Sequence, residues 1–370
     1  MAEISEGREK RPLLFGALES AGAVFSDFFG WTMAESFGDP IREQRSVRLG
    51  AGLIDLSYNG AIRIGGKEGQ QFLHGLVTND VKSLRRGQGM MAAFLTGHGK
   101  VRAFCRILCL GDEFLVINDP QTHEKVFKYV FPFSYAGDFR VEDVSDQHRI
   151  LSVQGPKSGL IMKEVCFEPV PSLAEYEWVE TIIAGHHVMV ASTSHTGDTG
   201  YDILVPEAGL KDVWDFLLLK GEFHSIAPVG LSALDALRIE AGIPVYGIDI
   251  DESNMMLEAG LKNAVSFNKG CYTGQEAVAM ATYRGHVSKR ISGLAIEGET
   301  VPLRGDRVFK DEKDVGQITS AIRSDTLNSV IALALIKYGF FDAGTKVQVR
   351  SGETTSNAEV VDLPFYRPGP

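Results

Sequence analysis

The densest chemistry in the chain lies in Lys269-Gly270-Cys271-Tyr272-Thr273-Gly274-Gln275-Glu276. A cysteine stands between two glycines, with a lysine shortly before it. A neighbouring cation lowers a thiol pKa and raises its thiolate fraction, so Cys271 is a candidate functional thiol and Lys269 its activator. The glycines let a ligand or another strand approach the backbone closely. Gln275 and Glu276 could face a ligand or satisfy a buried turn. The same pattern also fits a tight turn around an inert cysteine, and the residue types alone lean that way. A second group is His195-Thr196-Gly197-Asp198-Thr199-Gly200-Tyr201-Asp202, a turn running into a strand. A carboxylate can accept two N–H donors from a heterocycle with an amidine edge, such as a pterin. Asp198 and Asp202 are therefore candidates, with a solvated turn as the plainer alternative.

Other clusters are poorer in signal. Asp249, Asp251 and Glu252 lack the glycine and glutamate spacing of an EF-hand loop, and no metal site is expected there. Cys105 and Cys109 share one face of a strand and read as small buried apolar groups. There is no G-x-S-x-G, P-loop, H-E-x-x-H or Rossmann glycine pattern.

These groups sit on legible elements. Gly69 to Asp80 reads as a short helix with Phe72, Leu73, Leu76 and Val77 on one face. Around it are strand candidates over 61–64, 101–110 and 114–117. Further strands are expected over 149–153, ending at Gly155-Pro156, and over 187–191 and 201–205. The clearest helix spans about 208–220, with Leu210, Val213, Trp214, Leu217 and Leu218 as its apolar stripe. A second helix follows near 231–241 and closes on Gly242, which suits a C-cap. After residue 288 only short strands and turns remain, over 291–296, 316–322, 330–336, 346–350 and 358–361. The chain therefore divides into a mixed α+β body, 1–288, and a small all-β domain, a barrel or a sandwich, 289–370.

The chain has 370 residues, 37 Lys+Arg and 48 Asp+Glu, for a formal net charge of −11. That length suits two or three domains. The acidic balance lacks the general attraction to phosphate backbones that nucleic-acid binders show. Four scattered cysteines do not make a disulfide framework and point to a reducing compartment. No apolar run reaches the roughly 18 residues of a membrane helix. The mixed-charge start, MAEISEGREKRP, lacks a cleavable leader pattern, so a cytoplasmic location is expected.

In order, these segments resemble the superfamily of the glycine-cleavage T-protein and the YgfZ-type folate-binding proteins. The resemblance starts at Arg48-Leu49-Gly50-Ala51-Gly52-Leu53-Ile54-Asp55 and runs through Val77-Thr78-Asn79-Asp80-Val81. It continues through Gln154-Gly155-Pro156, Thr196 to Asp202, and Leu237-Arg238-Ile239-Glu240-Ala241-Gly242. It then takes in Leu257-Glu258-Ala259-Gly260-Leu261 and extends to Gly316-Gln317-Ile318-Thr319-Ser320 in the barrel. The 269–276 segment, followed by Arg284-Gly285-His286-Val287, is that of the YgfZ-type branch. T-proteins carry a turn with two acids where this chain has Ala103 and Phe104, and an arginine where it has Leu234.

The resemblance implies three subdomains in a cloverleaf around a channel that holds tetrahydrofolate or a 5-substituted derivative, two of them interleaved in the body, 1–288, and the third a small C-terminal β-barrel, 289–370. It implies folate contacts from Asp198, Tyr201, Asp202, Arg238, Asn79, Asp80, Gln275 and Glu276. The leading expectation is a folate-binding accessory factor in iron–sulfur enzyme maturation or repair, with Cys271 as the functional thiol and iron–sulfur client proteins as partners. A lone cysteine cannot itself hold a cluster, which commonly needs four thiolates. The alternative is a tetrahydrofolate-dependent aminomethyltransferase, or another one-carbon transferase or demethylase. It would need a charged group near the folate, for which Asp55, Asp80, Asp198 and Asp202 are the candidates. A third possibility is a protein that keeps the fold and has lost the ligand.

Overall fold

A computed structural model describes residues 10–283 and 285–369; Arg284 and the first nine residues of the N-terminal run lie outside them. The chain is α+β, and its body is built from two sheets placed face to face. The first sheet has five antiparallel strands, in the order Gly89–Leu95, Val101–Cys109, Phe114–Asn118, Gly60–Gly65, Arg140–Asp143. The second has six, in the order Trp178–Ile183, His186–Ser192, Gly200–Val205, Arg149–Gln154, Ala51–Asp55, Ile226–Pro228, with only the last pair parallel.

Side-chain alternation divides each strand between two cores. In Gly200–Val205, Ile203 and Val205 face outward to a core with Val213, Trp214 and Leu217 of the helix Leu210–Gly221 and Ile161 of the helix Ser158–Val165. Leu204 faces inward and packs with Leu108, Leu115 and Ile117 of the facing sheet. In Val101–Cys109, Ala103, Cys105, Ile107 and Cys109 face outward, toward Leu73 of the helix Gly69–Leu76 and Val126 of the helix Pro120–Val130. Cys105, Cys109 and Cys166 are buried as small apolar side chains, and Cys271 is exposed.

The barrel has six strands, closed in the order Lys289–Ile296, Ser329–Lys337, Lys313–Ser324, Arg307–Lys310, Lys346–Ser351, Thr354–Val361. Its interior is aliphatic, with Leu294, Val308, Ile318, Val330 and Val349 buried. Its outer face, through Ile291, Ile331 and Leu333, packs on Leu95, Val101, Tyr246 and Tyr272 of the body.

One element that the periodicity did not show also matters. The helix Pro40–Leu49 is started by Asp39, whose carboxylate accepts from the N–H of Ile41 and Arg42, with Pro40 in the first turn. Gly155 has φ +125°, and a Cβ there would stand 2.4 Å from the Val47 carbonyl oxygen. The Gln154-Gly155-Pro156 turn therefore needs its glycine so that this helix can lie against the sheet.

Candidate functional site

A cavity of about 310 Å³ is lined by residues of both body sheets and the loops beside them. This lies at the lower end of the range for small-molecule sites. Its walls are mostly flat or aliphatic and include Leu56, Phe104, Ile117, Tyr176, Leu231 and Leu234. Its polar lining includes Arg106, Asp119, His195, Asn263 and Arg238. None of the residues that line it belongs to the barrel.

Strand parity brings the charged groups together. Arg106 lies between Phe104 and Leu108 on the inward face of Val101–Cys109. Asp202 lies on the inward face of Gly200–Val205. The Arg106 guanidinium meets the buried Asp202 carboxylate in a direct ion pair. Asp202 also accepts from Ser152 Oγ at 2.7 Å and contacts His195 Nε2 at 3.0 Å. Burial pushes its pKa up, but the charges of His195 and Arg106 and the hydrogen bonds from His195 and Ser152 outweigh this and hold it at about 2. Gln154 sets the loop: its side chain donates to Ser152 Oγ at 2.8 Å and to the Thr193 carbonyl, and accepts from the His195 N–H at 2.9 Å.

The structure separates the other residues singled out in the sequence. Tyr201 neighbours Asp202 and therefore points to the opposite face, against the outer core. Asp198 is buried against Arg48 Nη1 at 2.5 Å and the Tyr366 hydroxyl at 3.2 Å, where body and C-terminal tail meet. Asp55 accepts from the Ser57 N–H at 2.9 Å, and burial raises its pKa to about 6. Asn79 donates to the carbonyls of Met91 and Asn263, while Asp80 accepts from the Lys82 N–H and stands 3.4 Å from His74. Arg238 reaches the cavity wall, but its donors go to Asp235, Asp249 and Ser320. Asp249 is saturated by Arg238, the Val245 N–H, Thr319 and Ser320. Among the described residues no group of three or more His, Cys, Asp or Glu side chains is placed to hold a metal ion.

The 269–276 segment does not line the cavity. Gln275 and Glu276 begin the helix Gln275–Tyr283. Lys269 is buried and donates to the carbonyls of His74 at 2.5 Å, Val77 at 2.7 Å and Asn79 at 2.9 Å. The His74 and Val77 carbonyls lie at the end of the helix Gly69–Leu76, which has no intrahelical partners for its last carbonyls. A cation there also meets the negative end of the helix dipole. Burial lowers the Lys269 pKa to about 8, so at pH 7 the ammonium form that these carbonyls require still predominates. The lysine thus spends its donors on a staple between two segments rather than on the thiol. Replacing it with Met should lower stability by about 2–3 kcal/mol, measured by urea unfolding, because three carbonyls lose a charged donor. A loss under about 0.5 kcal/mol would show that the staple carries little weight.

Arg106, Asp119, His195 and Tyr176 were not among the residues assigned a role from the sequence. An arginine inside the apolar run Phe104-Cys105-Arg106-Ile107-Leu108 was a usable signal, since a buried charge requires a partner. Its partner, Asp202, stands on another sheet and no local pattern points to it.

Comparison with known proteins agrees with this architecture. Residues 14–269 match the GCVT N-terminal domain and residues 289–367 the glycine cleavage T-protein C-terminal barrel domain. The chain belongs to the glycine cleavage T-protein family. An aminomethyltransferase of Oceanobacillus iheyensis is 31% identical over 98% of this chain and 99% of its own. One of Caldanaerobacter subterraneus subsp. tengcongensis is 30% identical over 97% and 96%. The crystal structure of glycine cleavage system aminomethyltransferase T from Bartonella henselae superposes with a TM-score of 0.90, at 23% identity, over 98% of this chain and 99% of that one. The expected cloverleaf fold with a terminal barrel is thus observed. The leading functional expectation, an accessory role in iron–sulfur maturation, is overturned: these full-length relatives are named aminomethyltransferases. No helix among the described residues is long and apolar enough to cross a membrane.

Proposed function

We propose that this protein is a tetrahydrofolate-dependent one-carbon transferase of the aminomethyltransferase kind, with the folate ring in the cavity between the two body sheets. The observation that carries the reading is that cavity. Flat and aliphatic walls suit a heterocycle, and a cluster of charged groups gathers at the inner sheet faces. The full-length relatives named aminomethyltransferase support it.

When bound, tetrahydrofolate supplies the nitrogens that accept or give up the one-carbon unit. The protein's part is positional and electrostatic. Phe104, Tyr176 and Leu234 would bracket the ring and exclude water, which strengthens each polar contact inside. Arg106 and Asp202 form a fixed, mutually neutralised pair, so their field is set before a ligand arrives.

Calorimetric titration of the full chain with tetrahydrofolate is the direct test, followed by steady-state transfer from aminomethyl and N-methyl donors. Saturable binding with transfer from at least one donor is expected. Absence of binding at about millimolar ligand, near 4 kcal/mol of affinity, would remove the reading.

A further inference from the structure

Asp119 is set apart from the other aspartates near the cavity, Asp202 and Asp235. Asp202 is committed to Arg106, Ser152 and His195, and Asp235 to Arg238. Asp119 follows the strand Phe114–Asn118, in which Leu115 and Ile117 face inward. Alternation therefore turns Asp119 inward too, and it lines the cavity. The ladder pairs Arg106 with Ile117 and Cys105 with Asn118. One step beyond that last pair stand Phe104 and Asp119, and both line the cavity.

Two observations show that this carboxylate is not spent on structure. Asp119 occupies the N-cap position of the helix Pro120–Val130, where an aspartate commonly accepts from the first turn, yet its side chain makes no capping bond. Its backbone carbonyl takes the Thr122 and His123 N–H groups instead. Among the described residues no other hydrogen bond to its side chain is made. Burial raises its pKa above the ordinary carboxylate value, opposed by Arg106 and His195.

We propose that Asp119 is the acid–base group of the cavity, exchanging a proton with an amine or ring nitrogen of the bound ligand. The step is a proton transfer. The ligand N–H bond breaks as an O–H bond forms on the Asp119 carboxylate, the electron pair stays on nitrogen, and the reverse step returns the proton. Arg106 and His195 set the local field, with Asp202 behind them. Tyr58, Cys105 and Tyr176, all shifted upward by burial, stay protonated around neutral pH. Glu175, Asp235 and Arg238 complete the charged and titratable lining.

The proposal rests on the folate reading, and its test separates the two. The full chain and Asp119→Asn are titrated with tetrahydrofolate at about pH 5 and about pH 7, in buffers of different ionisation enthalpy, which reports protons released on binding. At the lower pH more of Asp119 is protonated than an ordinary carboxylate would be, and a ligand N–H that hydrogen-bonds its anion displaces that proton, so wild type should release protons on binding. Asp119→Asn should bind within about 5-fold of wild type without that release, and its turnover should fall by about 100-fold or more. Asp119→Ser, a second variant without the carboxyl group and with a residue that suits an N-cap, should behave the same way, and an unchanged urea unfolding midpoint in both variants guards against a folding defect. Undiminished proton release in both variants would overturn the role of Asp119 while leaving the folate reading intact. No heat from the wild type would overturn both.

Discussion

Arg48→Ala should lower the unfolding free energy by about 3–5 kcal/mol, among the largest single-residue losses in this chain. The Arg48 guanidinium bonds Glu240 through Nη2 at 2.6 Å and, through Nη1, Asp198 at 2.5 Å and the Thr196 carbonyl at 2.8 Å. It also lies 3.7 Å from the centroid of the Tyr366 ring. Its side chain is 7% exposed, and those of Asp198 and Glu240 are 2% and 0%. Glu240 in turn accepts from Ser324 of the barrel at 2.5 Å, and its backbone carbonyl accepts from the Tyr366 N–H. One cation therefore joins the helix Pro40–Leu49, the end of the helix Leu231–Glu240, the barrel and the tail. Its removal leaves two buried carboxylates without their cation, and that desolvation penalty is the source of the loss. Urea unfolding of the variant is the measurement. Glu240→Gln combined with Arg48→Ala should cost less than the sum of the two single changes, since the partners act as one unit. A loss below about 1 kcal/mol for Arg48→Ala would mean that water reaches and pays for the stranded acids.

The second large effect is expected at Asp202. Asp202→Ala removes the acceptor for Arg106, Ser152 and His195 together and should cost about 3–5 kcal/mol. Asp202→Asn keeps the shape and isolates the charge. The Asp202 pKa is held at about 2 in the folded protein, below the ordinary 3.8, so folding favours the anion. The stabilisation is complete above about pH 4 and is lost as pH falls through about 2, a contribution of about 2 kcal/mol. Unfolding curves between about pH 2 and pH 6 should therefore fall less steeply for Asp202→Asn than for wild type. Parallel curves would show that another carboxylate carries the acid sensitivity. Because Arg106 is freed toward the cavity, both variants should also change the affinity for tetrahydrofolate.

Much of the architecture was legible along the chain. The stripe Leu210, Val213, Trp214, Leu217 announced a helix whose apolar face is buried, and it forms over Leu210–Gly221. The strands around 101–110, 149–153 and 201–205 follow from apolar runs bounded by glycine and proline, and each is present within a residue or two. The all-β character of the last domain was readable because short strands separated by turns leave no helical alternative, while closure into a barrel rather than a sandwich is seen in the strand order. The helix Pro40–Leu49 was missed although Asp39-Pro40 is a start signal, because its face is mostly polar and it packs through few apolar side chains.

The site was much less legible, for a geometric reason. A motif groups residues that are close in sequence, whereas strand alternation sends neighbours to opposite faces. Tyr201 and Asp202 stand side by side in the chain and face different cores. Lys269 and Cys271 are two apart, yet the lysine is drawn into a helix end and the thiol is exposed. The sequence by itself determined the α+β body, the terminal all-β domain and the family, because these depend on local period and collinear segments. Only the tertiary structure decided which charges meet. Arg106, Asp119, His195 and Asp202 come from two sheets, and their pairing depends on the register and facing of strands far apart in the chain.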